Sequence, residues 1–484
     1  MRTFSQNRIF TLGCALVFVL LGITSGYANT DSLIEKVDKL FVSWNKPDSP
    51  GCALGIIRDG KLIYARGYGM ANLEYNIPIT PKSIFRIGST SKQFVAMCMV
   101  LLKEEGKLSL DDSLRKFLPQ MPEYAAEITI RQLILHTSGI RDYLTLAEIA
   151  GIREDDYFTD AEVVDLLARQ NELNFPPGEQ HLYSNSGYFL LSQIVKKVTG
   201  KSLREYADEK IFQPLGMTHT HFHDDHTEIV KNRASGYAPK KGGGFVISMT
   251  TLPMTGDGGV FTSVEDLFLW DQNFYDNKLG NSGQELIEKI QTPGVLNSGK
   301  KLNYAFGLNI GTYRGLPIVS HGGSFVGFRA DMIRFPEQKF SVICLANLSR
   351  FNPCVMARRV ADIYLEDLYT KKSAAKKPAD KKPRSKELSE SDFKPTPDEL
   401  KVYVGKYSSE ELDAAYILRL KKGKLFMQHE NPHKNYSRIA LKPTSRDGFR
   451  VAGFKLSFIR DEKKDIVGFK LNAGRVRNIF FEKQ

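Results

Sequence analysis

The chain has 484 residues, 42% of them hydrophobic and 25% charged, which is ample apolar sequence for two or three globular domains of about 100–200 residues each. Its formal charge of +12 invites a nucleic-acid reading, but the excess is local: Lys371, Lys372, Lys376, Lys377, Lys381, Lys382, Arg384 and Lys386 face only Asp380. Together with a Lys- and Arg-rich segment after Lys401, that run describes a solvated linker and a tail rather than a basic binding face. No nucleic-acid partner is expected, and contact of the linker with anionic envelope polymers is the lesser alternative.

At the start, Arg2 and Arg8 precede an apolar run from Ile9 to Ile23, and small residues end at Gly26-Tyr27-Ala28. This is the layout of a secretory signal cut after Ala28, which predicts a secreted or periplasmic protein. About 15 apolar residues fall short of the ~20 needed to cross a bilayer, and too little apolar sequence precedes Cys14 for a lipid anchor. Cleavage leaves Cys52, Cys98, Cys344 and Cys354, too few for a disulfide scaffold. Cys98 and Cys344 lie in apolar runs and are expected as buried thiols.

Next, Leu33, Val37, Leu40 and Phe41 share one helical face, and "GCALGIIRDGKLIYARGYG" reads as a hairpin turning at Arg58-Asp59-Gly60. Residues 90–290 carry mostly helical patterns, including a helix that ends at Gly200 and another started by Ser263 with Asp266 as its acidic third residue. From Leu302 the period shortens to several strands, and "VMARRVADIYLEDLY" closes the region as a helix. This order predicts an α/β domain on an antiparallel sheet with a helical insertion. The boundaries are a signal over 1–28, a main domain over 29–369, a low-complexity linker over 370–398, and a small all-β barrel or meander over 399–484. His429 and His433 in that last unit are expected to face solvent.

Three polar clusters stand out. Ser89 and Lys92 in "FRIGSTSKQFVAM" lie where an apolar run turns into a helix. The spacing alone says little, since Ser43/Lys46, Ser113/Lys116, Ser298/Lys301 and Ser373/Lys376 repeat it. The context says more: free N–H groups at a helix start favour a developing negative charge, and positions three apart share a face, so Lys92 can reach the Ser89 hydroxyl. Tyr183 and Asn185 follow a Pro-Pro-Gly break, and His321-Gly322-Gly323-Ser324 ends a strand, with glycines that permit close substrate approach and a Ser324 N–H able to stabilise an oxyanion.

The order Ser-x-x-Lys, Tyr-x-Asn, His-Gly-Gly resembles the serine β-lactamase and penicillin-binding protein superfamily, most closely class C β-lactamases, DD-peptidases and D-aminopeptidases. The resemblance runs through "GYGMANLE", "ITIRQLILHTSGI", "IFQPLGM" and "GGVFTSVEDLFLW" to "ICLANLSRFNP", over roughly residues 33–368. It implies a β-lactamase-like α/β fold with a lipocalin-like C-terminal domain, and a serine hydrolase that needs no cofactor and takes a small-molecule, peptide or ester substrate. It also implies roles: Ser89 as acyl-accepting nucleophile, Lys92 and Tyr183 as the proton-transfer pair, Asn185 positioning Lys92, and His321 facing the cleft. Gly323 and Ser324 would form the oxyanion hole with Ser89, and Asn352 would help hold a substrate carboxylate.

His321 stands where a Lys is usual. A neutral imidazole supplies no permanent cation for a carboxylate, which ranks peptidase or esterase action on D-amino-acid or cell-wall-type substrates above β-lactam hydrolysis. A non-catalytic penicillin or peptide sensor is a rival that intact Ser89, Lys92 and Tyr183 oppose. A second rival is the run His221–His226, which matches the His-x-His-x-Asp-His zinc signature of metallo-β-lactamases, with a strand expected to align His219, His221 and His223. The downstream ligands are missing, so no catalytic metal is expected and the run reads as a polar surface loop.

Overall fold

The computed structural model describes residues 32–153, 156–369, 393–431, 438–451 and 453–484. The signal, nearly all of the linker, and His433 lie outside the described residues. No helix among those described is long and apolar enough to cross a membrane.

The predicted hairpin forms as strands Cys52–Arg58 and Lys61–Tyr68. Asp59 and Gly60 turn it with φ of 50° and 74°, the positive pair that a type I′ turn requires. These strands complete a six-stranded antiparallel sheet whose other members are Asn309–Tyr313, Leu316–Phe325, Phe328–Phe335 and Phe340–Ala346. The joint between the early and late strands is Cys52–Arg58 against Phe340–Ala346, with Cys52 opposite Ala346. Alternation then assigns faces. Leu54, Ile56, Val342 and Cys344 pack under the helix over 32–41 and the helix Pro353–Leu365, through Val37, Phe41, Met356 and Val360. Ala53, Ile57, Ile343 and Leu345 face the main helical layer, which contributes Phe94 and Trp270. Gly55 lets the helix Val264–Gln272 touch the sheet, because a Cβ there would stand 2.5 Å from a Val264 methyl. Cys98 and Cys344 are buried as expected, and the four described cysteines are free thiols.

The C-terminal unit is a nine-stranded antiparallel sheet, nearly closed into a barrel, running from Gly405–Ser409 to Val476–Lys483. Helix Pro397–Lys401, capped by Thr396, precedes it and straddles the boundary expected at 398. His429 corrects another expectation: it is 5% exposed, because strand alternation turns it inward opposite Tyr416, and its Nδ1 accepts from the Asn431 N–H.

The barrel is bolted to the main domain. The Arg141 guanidinium, fully buried between them, donates to Glu411, to Gln170 at 3.0 Å, to Glu172 at 3.2 Å and to the Arg477 carbonyl at 3.0 Å. Tyr416 Oη donates to the Ile149 carbonyl at 2.6 Å.

Candidate active site

Ser89 sits in the tight turn Gly88–Ser91 that leads into the helix Lys92–Glu104. The sequence pattern suggests that Ser89 opens this helix; the α-helical turns begin at Lys92, and a 3-10 turn holds the serine just ahead of them. Backbone crowding sets that turn. Gly88 adopts φ of 52°, and a Cβ on Gly323 would fall 1.8 Å from the Ile87 carbonyl oxygen. A Cβ on Gly88 would likewise come 2.8 Å from the Ser324 nitrogen. Only glycines let the strand Leu316–Phe325 pass this close to the serine turn, which brings the Ser324 amide beside the Ser89 segment as expected.

Lys92 is 0% exposed. Its Nζ donates to Asn185 Oδ1 at 2.9 Å and to the Asp257 carbonyl at 2.5 Å, and lies 3.3 Å from Ser89 Oγ. Two of these contacts are N–H bonds to carbonyl oxygens, and the third places Nζ against the Ser89 hydroxyl. Asn185 is held in turn by Asp142, whose Oδ2 accepts its N–H at 2.7 Å while Oδ1 caps the helix Tyr143–Ile149. The Tyr183 ring lies 4.9 Å from Lys92 Nζ, and its Oη is buried with no hydrogen-bond partner among the described residues. Ser89, Tyr183, Asn185, His321, Gly323, Ser324 and Asn352 all line one cleft of about 690 Å³.

His321 keeps the neutrality expected of it, and the structure adds what occupies its nitrogens. It lines the cleft, but its Nδ1 is 2.7 Å from the Gly322 carbonyl and its Nε2 is 3.1 Å from Tyr304 Oη. Tyr304 Oη also meets His136 Nε2 at 3.2 Å, and His136 Nδ1 accepts from the Ser184 N–H. The chain of bonds fixes the tautomers: His136 Nε2–H donates to Tyr304, Tyr304 donates to His321 Nε2, and His321 Nδ1–H donates to Gly322. Burial and the nearby Lys92 charge pull His321 down to about 4, and burial pulls His136 well below the ordinary histidine range. His321 is therefore a neutral brace that ties the strand to the Tyr183 loop, with neither nitrogen left for proton transfer.

Asn352 stands at the cleft lip, where its Oδ1 accepts from Val355 N–H as the cap of the helix Pro353–Leu365. With Oδ1 so engaged, the amide nitrogen is the group of this side chain that could donate to a carboxylate. The His221–His226 run does not join the cleft. Only His221–Phe222 is a strand, pairing with Val260–Thr262, and the His219 N–H turns away to Asp266. His221, His223 and Glu228 do converge, with potential ligand atoms within 4.8 Å. However, His221 and His223 bond each other at 3.1 Å, and Arg204 takes both oxygens of Glu228. These internal bonds occupy the atoms that converge on one another, although His223, 4% exposed rather than in the surface loop expected, keeps a buried Nε2 without a partner among the described residues.

Sequence reasoning missed four contributors. Asp257 carries the carbonyl under Lys92, and burial raises its carboxyl above the usual range while Tyr143 Oη donates to it. Tyr304 and His136 form the brace. Arg475, from the barrel, lines the cleft. His136 lies within "LILHTSG", but neither Tyr304 nor Arg475 has a local signal.

A family model described as Beta-lactamase matches residues 31–365. The chain belongs to that family. Among curated relatives, the D-aminopeptidase of Gluconobacter oxydans is 28% identical over 298 residues, 62% of this chain and 56% of that protein. The D-aminopeptidase of Cereibacter sphaeroides is 30% identical over 299 residues, 62% of this chain and 57% of that protein. The chain thus matches little more than half the length of these relatives. Among solved structures, an octameric penicillin-binding protein homologue from Pyrococcus abyssi matches 93% of this chain and 100% of its own, with TM-score 0.62 and 26% identity, so the likeness extends into the barrel. The D-amino acid amidase from Ochrobactrum anthropi shares the β-lactamase fold, with TM-score 0.59 and 22% identity over 69% of this chain and 99% of its own.

Proposed function

We propose that this β-lactamase-family protein is an exported serine hydrolase that forms an acyl-enzyme on Ser89 and cleaves D-amino-acid-containing peptides, amides or esters. The observation that carries the reading is Lys92 Nζ, buried and shared between Ser89 Oγ, Asn185 Oδ1 and the Asp257 carbonyl. A purely structural lysine has no reason to be buried against a partly buried serine that lines a cleft. The D-amino-acid preference rests on the similarity to D-aminopeptidases, and export on the leader over residues 1–28.

In this reading Ser89 Oγ attacks the scissile carbonyl as its proton passes to the Lys92 and Tyr183 pair. The N–H groups of Ser89 and Ser324 take the oxyanion. Tyr183 Oη, which has no hydrogen-bond partner among the described residues, returns the proton to the leaving nitrogen or oxygen. A water then repeats the sequence on the ester, and Ser89 is regenerated. Asn185 holds Lys92 in place, while Gly323 and the His321 brace hold the oxyanion strand.

The test follows hydrolysis of p-nitrophenyl acetate and of D-alanine p-nitroanilide in EDTA, together with intact mass after a short ester pulse. Wild type should turn over and gain one acyl group, and Ser89→Ala should do neither. Activity retained by Ser89→Ala but lost in EDTA would transfer the chemistry to the His221 cluster and overturn the reading.

A further inference from the structure

The turn between strands Ile466–Ala473 and Val476–Lys483 enters the cleft of another domain. It is held there firmly. The Arg475 carbonyl accepts from Asn174 Nδ2 at 2.9 Å and from the Asp142 N–H at 3.5 Å, Asn174 Oδ1 accepts from Arg477 N–H at 2.8 Å, and Arg141 reaches the Arg477 carbonyl. Gly474 supplies the φ of 51° at the tip. The Arg475 side chain, by contrast, is 44% exposed. Its guanidinium stacks 4.8 Å from the centre of the Tyr183 ring, and its ion-pair partner among the described residues is Asp142 Oδ2 at 3.8 Å, beyond hydrogen-bond reach.

The charges around it are one-sided. Arg86, Arg329, Arg350 and Arg475 line the cleft, against Asp257 as the one acid among the described lining residues. Asp257 is buried with its carboxyl raised and bonded to Tyr143. Arg86 is committed to the Gly258 carbonyl and Arg329 to the Val326 and Phe328 carbonyls. Arg350 and Arg475 remain, and of the cleft-lining cations Arg475 is the one stacked on the Tyr183 ring, where it presents a planar fork suited to a carboxylate. His321, neutral and bonded on both nitrogens, cannot play that part.

We propose that Arg475 of the C-terminal barrel is the receptor for a carboxylate on the leaving-group side of the substrate, so that the protein favours scissile bonds followed closely by a free carboxylate. The leaving-group side follows from Tyr183. Building on the serine reading above, the atom that departs takes its proton from Tyr183 Oη, and Arg475 lies on that same ring. The barrel is thereby part of the binding site and not an appendage.

The test compares N-benzoyl-D-alanyl thioglycolate, whose carboxylate stands one carbon beyond the scissile thioester sulfur, with its carboxamide. Wild type should favour the carboxylate, and Arg475→Ala should lower the carboxylate-to-amide ratio of kcat/KM by roughly tenfold to a hundredfold, the range for a hydrogen bond to a charged group. Arg475→Lys, which keeps the charge but not the fork, should recover part of it. Because the ratio is internal to each variant, a merely structural role of Arg475 would not move it. Equal turnover of the two compounds by wild type, or a ratio that survives Arg475→Ala, overturns the proposal. The same pair is also titrated calorimetrically against Ser89→Ala. There, tighter binding of the carboxylate that is lost in Ser89→Ala/Arg475→Ala supports the receptor even if the serine chemistry fails, and equal binding of both refutes it.

Discussion

Arg141 gives the sharpest test of how barrel and main domain are joined. Arg141→Met removes a fully buried guanidinium that serves four acceptors, and strands Glu411, which is 5% exposed and keeps only the Asn171 N–H at 2.9 Å. Breaking one side of a buried ion pair costs about 3–5 kcal/mol, because the remaining charge stays desolvated without its partner. Replacing both members by apolar groups avoids that cost, so Arg141→Met/Glu411→Met should return to within about 2 kcal/mol of wild type. Urea unfolding followed by fluorescence, with barrel and main-domain transitions separated by hydrogen exchange, reads both numbers. The single variant should also loosen the turn that carries Arg475, through the lost bond to the Arg477 carbonyl. A single-variant loss below about 1 kcal/mol, or a double variant no better than the single, refutes the reasoning.

Three other outcomes are expected. Gly323→Ala should abolish turnover and destabilise the fold, since its Cβ would fall 1.8 Å from the Ile87 carbonyl oxygen; a normal rate by ester assay would contradict the backbone-crowding account of the serine turn. Lys92→Met should lower turnover by at least a hundredfold while EDTA leaves wild type unaffected, as stopped-time ester assays will determine. Stability should fall on acidification: His321 binds its proton near 4 in the fold against 6.5 when unfolded, so the unfolded chain takes up protons first and stability, complete above 6.5, drains away as pH falls through that window. The shift corresponds to ~3 kcal/mol at most. Asp331, pushed up to about 6 by burial, acts with the opposite sign, its contribution being lost as pH rises from 3.8 to about 6. Urea midpoints at pH 7 and pH 5 for wild type and His321→Asn check this, with the variant losing less.

Much of the molecule was legible from local pattern. The turn at Asp59-Gly60, the helix ending at Gly200, the alternating strands after residue 302 and the glycines at 322 and 323 each express a backbone or periodicity rule that acts over a few residues. Ser89, Lys92, Tyr183 and Asn185 could be grouped from two separated segments because their order resembles that of a known superfamily. What local pattern could not supply was the environment of each group. His321 read as a cleft-facing imidazole, which it is, but without its brace, and His429 as a surface one, because nothing adjacent in sequence reveals Tyr304 and His136 behind the first or the inward strand face around the second.

The sequence by itself determined the elements, their polarity and the residue types available for acyl transfer, since propensity, turn chemistry and hydrophobic period act between near neighbours. Only the tertiary structure decided what those residues can do. Pairing Cys52–Arg58 with Phe340–Ala346 closes the sheet across the length of the main domain, Tyr304 and the Gly322 carbonyl engage both nitrogens of His321, and docking of the barrel through Arg141 brings Arg475 onto Tyr183. Protonation and charge complementarity depend on desolvation and on distances of a few ångströms between segments hundreds of residues apart, and those distances exist only once the chain has folded.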